Sequence, residues 1–95
     1  MFIEVWQEKK SQIEESYHAE NWKDYTIYVH ALKSSSLSMG AEQLSELAKQ
    51  HEMAGKAIQK EDETEKNLQF IKEQLTVLLD MYRDTVAEAQ NYINS

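Results

Sequence analysis

The sequence predicts an all-α fold: an antiparallel four-helix bundle with a long C-terminal helix. Three observations predict it. The 95 residues include no proline and only two glycines, Gly40 and Gly55, so little in the chain breaks a helix. Glu, Lys, Gln, Leu and Ala are abundant, and all are good helix formers. Apolar residues recur at steps of three and four, while no Asn-Gly or Asp-Gly turn joins alternating apolar runs. A chain of this length makes a single domain, residues 1–95, with a modest core.

The first helix is expected over roughly residues 2–18, with Phe2, Trp6, Ile13 and Tyr17 on one stripe interrupted by Lys9 and Lys10. The second begins at Asn21, a good N-cap with Asp24 three residues on. Its stripe is Trp22, Tyr25, Val29, Leu32, Ser36 and Met39, a bundle-facing seam. Gly40 ends it, because a left-handed residue after a helix costs glycine little. The third helix runs from about Ala41 to Gln59, with Leu44, Leu47, His51, Ala54 and Ile58 inward and Gly55 weakening its last turns. Lys60-Glu61-Asp62 connects it to the fourth, where Asp62 and Glu65 form a second capping pair. The fourth helix covers about Glu63 to Tyr92, its stripe marked by Leu68, Ile71, Leu75, Leu78, Tyr82, Ala89 and Ile93, with Val86 one step off. At 1.5 Å per residue it is roughly 45 Å long.

Charge and composition narrow the function. A formal net charge of −7 disfavours nucleic acid and anionic membrane surfaces, whose phosphates would repel the chain. The absence of cysteine excludes disulfide and thiol chemistry. No apolar run reaches the ~18 residues of a membrane span. The start Met1-Phe2-Ile3-Glu4 has no basic segment and no long apolar one, so it is not read as a signal peptide, and a cytoplasmic location is expected. No glycine-rich phosphate loop is present, so no ATP site and no cofactor are expected. Histidines at spacings of twelve and twenty-one (His18, His30, His51) do not suggest a zinc site. The acidic residues are read as spread along solvated faces.

The second helix carries the informative residues. His30 lies one step off the seam of Val29 and Leu32, so it flanks the core and reaches solvent. Lys33 and Ser34 follow at i+3 and i+4 on the same face, among the small residues Ala31, Ser35, Ser36 and Ser38. An exposed neutral imidazole is a competent nucleophile. A phosphorylated ring carries about two negative charges, which a neighbouring lysine offsets. Small side chains keep the approach open. The same spacing also describes an ordinary surface pair, and the serine run suits close helix packing equally well.

The stretch His30-Ala31-Leu32-Lys33-Ser34-Ser35-Ser36-Leu37-Ser38-Met39-Gly40-Ala41 resembles the signature of histidine phosphotransfer domains. In that family a phosphorylatable His is followed by Leu-Lys, small residues, and Gly-Ala at the turn. Leu44-Ser45-Glu46-Leu47-Ala48 and Glu52-Met53-Ala54-Gly55-Lys56 resemble the family's third helix, and Trp22 just after a turn matches too. The resemblance implies His30 as the phosphorylation site and Lys33 as the phosphate-side cation. It implies a phosphoryl carrier rather than a free-standing enzyme. Its partners would be response-regulator receiver domains docking around Ile27, Ala31, Ser34, Leu37 and Ser38, with Mg²⁺ held in the receiver. The chain either stands alone or belongs to a larger hybrid sensor kinase, itself membrane-anchored in some cases. A helical adaptor that carries no phosphate is the alternative that bundle physics leaves open.

Two positions depart from the family pattern. Ser34 stands where glycine is common, and it is still small. His51 stands on the core stripe where a leucine-like residue is usual, which makes it a buried, hydrogen-bonded histidine. On spacing alone, His51→Leu is expected to stabilise the fold by on the order of 1 kcal/mol. His18, near a helix end, is read as plain surface.

Overall fold

The computed structural model describes the backbone of residues 2–94 and the side chains of residues 6–88. Four helices follow one another: α1 (Phe2–His18), α2 (Trp22–Ser38), α3 (Glu42–Gln59) and α4 (Thr64–Asn94). No strand occurs among the described residues. The loops are too short for anything but antiparallel neighbours, and each helix packs on the next, with α4 closing against α1. The molecule measures 47 × 22 × 19 Å. Its long dimension is that of α4, whose 31 residues span about 46 Å. No helix among the described residues is long and apolar enough to cross a membrane.

The stripes read from the sequence form the core. Ile13 of α1, Tyr25, Val29 and Leu32 of α2, Leu44, Ala54 and Ile58 of α3, and Ile71, Leu78, Tyr82 and Val86 of α4 are all buried. Trp6, Tyr17, Trp22, Leu47, Leu68 and Leu75 pack half-buried around them. Trp6 meets Tyr82 edge-to-face, with ring centres 5.1 Å apart, an arrangement aromatic quadrupoles favour. Met39 departs from the expected seam: it follows the last residue of α2 and is exposed. Val86 lies four residues after Tyr82 and is buried, so it continues the stripe. The stripe positions Phe2, Ala89 and Ile93 lie outside the described side chains.

Helix ends follow one device three times. After α2, Gly40 adopts φ 77°, its N–H donates to Leu37 O, and the Ala41 N–H donates to Ser36 O at 2.8 Å. This is a Schellman motif. α1 and α3 end in the same way, but with Glu20 and Glu61 as the left-handed residues, at φ 56° and 57°. The expected Asp62–Glu65 capping pair does not open α4. Instead the Asn67 side-chain amide donates to the Asp62 and Glu63 carbonyls, both at 3.0 Å.

Gly55 has a different role from the helix weakening its type suggests. It is buried, and a Cβ there would lie 2.3 Å from Thr26 Oγ1. Glycine therefore lets α3 approach α2 closely. Thr26 is itself held, donating to Trp22 O at 2.6 Å and accepting from Gln59 Nε2 at 3.0 Å. Gly55→Ala, which in an open helix gains about 1 kcal/mol, is expected here to destabilise by about 1–2 kcal/mol. Urea unfolding measures it, and Thr26→Ala in the same chain should restore the loss. A stabilised single variant would show that the seam has slack.

Candidate functional site

Two helices build the site. Asn21 caps α2: its side chain accepts from the Asp24 N–H at 3.2 Å, and its amide donates to the Asp24 carboxylate at 2.9 Å. With Tyr25, Val29, Leu32 and Ser36 fixed inward, the helical period turns His30 out of the core, and its side chain is 56% exposed. α3 lies antiparallel beside α2. It offers α2 a second stripe, distinct from its core stripe: Ser45, Ala48, Glu52, Gly55 and Gln59. Ser45 Oγ donates to Lys33 O at 3.0 Å and Gln59 to Thr26, which fixes the register. Three small residues in that stripe bring the helices close, and Glu52 falls among them.

Glu52 is the centre of the site, and the sequence reading missed it. Only 5% of its side chain is exposed, so the acidic residues do not all lie on solvated faces. His30 Nδ1 lies 2.5 Å from its Oε2, Lys33 Nζ donates to its Oε1 at 2.7 Å, and Lys56 Nζ stands 3.4 Å from Oε2. Burial alone would raise this carboxyl. The hydrogen bonds and charges of Lys33 and His30 outweigh it and hold the group down at about 2. Glu52 is therefore an anion at neutral pH, and an anionic carboxylate only accepts. The hydrogen between it and His30 consequently sits on Nδ1. The lone pair of a neutral ring is then on Nε2, at the edge turned away from Glu52.

The other expected site residues fall as follows. Lys33 is half-buried and its ammonium donates to Glu52, which places it one carboxylate away from the imidazole. Ser34, Ile27, Leu37 and Ser38 are exposed and Ala31 is half-buried. Ile27 and Leu37 are 54% and 62% exposed, so they form an apolar margin to the His30 face. Ser36 is buried and donates to Leu32 O, which assigns it to packing. His18 is exposed, with its ring against Tyr17.

His51 is fully buried, as its place on the stripe predicts. Its Nδ1 lies 2.7 Å from the hydroxyl of Tyr25, itself fully buried. Burial, and after it the nearby Tyr17, pushes the Tyr25 phenol up, so it remains a donor. A ring that accepts on Nδ1 carries its proton on Nε2, and Nε2 has no hydrogen-bond partner. Burial holds His51 down to about 4, with the Gln74 main chain acting in the opposite direction. Phe70 covers the ring, with centres 5.2 Å apart.

A cleft of about 590 Å³, lined by residues such as Tyr17, Trp22 and Leu68, does not include His30. The imidazole is presented on a helix face. Neither a curated protein nor a solved structure matches the chain. A family model, that of the Hpt domain, matches residues 1–90. That span is nearly the whole chain and contains both halves of the His30–Glu52 contact. The chain belongs to the Hpt domain family, whose members serve phosphotransfer in two-component signalling.

Proposed function

We propose that this Hpt domain carries a phosphoryl group on His30 Nε2 and relays it between aspartates of receiver domains. The observation that carries the reading is the contact between His30 Nδ1 and Glu52. Glu52 selects the tautomer whose free lone pair is on Nε2, orients the ring and leaves the reactive edge in solvent. Attack by Nε2 on a receiver's aspartyl phosphate forms the N–P bond and releases the carboxylate. Attack by a second receiver's aspartate reverses the bonds. Such transfers depend mainly on position and charge neutralisation. The receiver contributes its Mg²⁺, and this chain contributes a fixed nucleophile with lysines one carboxylate away.

Ile27, Ala31, Ser34, Leu37 and Ser38 surround His30 on α2 and are the proposed docking face. Exposed apolar residues among small ones suit a contact that forms and releases. Lys33 steadies Glu52 and adds positive charge to the face, and Ser34 keeps the approach low. The test is to incubate the chain with a phosphorylated receiver. Acid-labile, alkali-stable label on His30 supports the reading, and a chain that stays unlabelled with several receivers sinks it.

Docking makes a further demand at Ser34. Ser34→Gly should keep transfer, whereas Ser34→Tyr should slow it at least tenfold without changing the thermal melt, since the position is exposed. Normal transfer by the tyrosine variant would mean that receivers approach from another side.

A further inference from the structure

We propose that Glu52 keeps the Nδ1 proton on His30 through the whole transfer cycle, so that the loaded residue is a phospho-imidazolium paired with a buried carboxylate. The proposal rests on the carrier reading and adds what the site does with its proton. When the Nε2 lone pair forms the N–P bond, the acyl O–P bond breaks and its electron pair leaves with the receiver carboxylate. The ring then bears phosphorus on Nε2 and hydrogen on Nδ1, with one positive charge. In open water that ring is free to lose the Nδ1 proton.

Here the proton has nowhere favourable to go. It faces Glu52 Oε2 across 2.5 Å. Transfer onto Glu52 would neutralise a carboxylate that Lys33 and Lys56 both contact, at 2.7 and 3.4 Å, and would leave those ammonium groups unmatched. Loss to water would set the Nδ1 lone pair against a carboxylate oxygen at the same short distance. It would also leave a carboxylate that is only 5% exposed with one donor fewer. The ring contacts Glu52 of α3, and Lys33 of α2 and Lys56 of α3 contact that carboxylate in turn. No charged side chain of α1 or α4 contacts it among the described residues.

The return step then needs no proton from solvent. The second receiver's carboxylate attacks phosphorus, the P–N bond breaks, and its electron pair returns to Nε2 while Nδ1–H is unchanged. The leaving group is a neutral imidazole rather than an imidazolate. Glu52 thereby acts on the loaded state as well as on the empty one.

The test loads ¹⁵N-histidine-labelled protein with phosphoramidate and follows the phospho-His30 ring by ¹⁵N and ³¹P NMR from roughly pH 5 upward through the imidazole range. The same phosphorylated chain unfolded in urea is the reference. The folded ring is expected to hold its proton at least tenfold more tightly, a midpoint about one pH unit higher. Glu52→Gln should move the midpoint back toward the unfolded value. The comparison of folded with unfolded wild type stands even if that variant folds poorly. A folded midpoint equal to or below the unfolded one overturns the proposal while leaving His30 as the carrier. If neither phosphoramidate nor a phosphorylated receiver labels His30, the carrier reading falls and this proposal falls with it.

Discussion

His30→Gln is expected to reduce phosphoryl acceptance to background while leaving the fold in place. Both halves follow from the geometry. The imidazole is more than half exposed and contributes nothing to the core. Its structural bond is the one from Nδ1 to Glu52. A glutamine amide can donate to the same carboxylate, and Lys33 and Lys56 remain on it, so the stability change should stay below about 1 kcal/mol. What glutamine lacks is a nucleophilic ring nitrogen. Uptake of label from a phosphorylated receiver and thermal melts of both proteins decide the matter. A variant that still takes label would remove His30 from the chemistry, and one that fails to fold would make it a core residue.

The second large effect concerns acid. In the unfolded chain His51 takes up a proton near pH 6.5, but in the fold burial delays this to about 4. Between those values the unfolded state binds the extra proton, so stability falls as pH falls, by about 1.4 kcal/mol per unit. Above 6.5 the contribution is constant. The loss across the window is on the order of 3 kcal/mol, a large share of what a small domain has. Glu52 acts next. Its folded value of about 2 lies below its ordinary 4.5, so the stability it gives is complete above 4.5 and is lost as pH drops toward 2. His51→Leu should abolish the upper window and keep the lower one, as measured by denaturant unfolding at several pH values. An unchanged slope between pH 6.5 and 4 would show that His51 is not the titrating group.

At neutral pH the same substitution reads differently from its sequence-based expectation. Leucine removes an imidazole with one unpartnered nitrogen, but it also strands the buried Tyr25 hydroxyl. His51→Leu alone is therefore expected to destabilise by about 1 kcal/mol. Adding Tyr25→Phe, which takes away the other partner, should recover or exceed wild-type stability.

Much of the architecture was legible because bundle cores impose a simple rule. A side chain every three or four residues must be apolar, and from Tyr25 to Val86 this chain obeys it except at Ser36 and His51, which are polar and buried. Gly40 was legible because only glycine adopts a left-handed turn without strain. Glu20 and Glu61, which take the same left-handed conformation, were not, because glutamate carries no such signal. His30 was singled out by its offset from a seam and by family resemblance, and its exposed place on α2 was legible from that offset. Glu52 escaped because it stands twenty-two residues away and its type usually marks a solvated face. The signal that could have found it is the stripe Ser45, Ala48, Glu52, Gly55, Gln59. Small residues at helical spacing announce a close neighbour, and a glutamate among them must have its charge matched. Gly55 was misjudged for the same reason: propensity describes an isolated helix, and the contact with Thr26 belongs to a pair.

That close pairing of α2 with α3 divides the chain into parts under different constraint. Each side chain described in contact with the His30 ring or the Glu52 carboxylate comes from the hairpin between Trp22 and Gln59. For α1 and α4 the requirement is only to supply an apolar stripe of the right width. Their outward positions reach the His30–Glu52 pair through the core alone. A lineage could therefore rewrite those outer surfaces, and with them the company the domain keeps, while a hairpin of fewer than forty residues holds the His30–Glu52 pair constant.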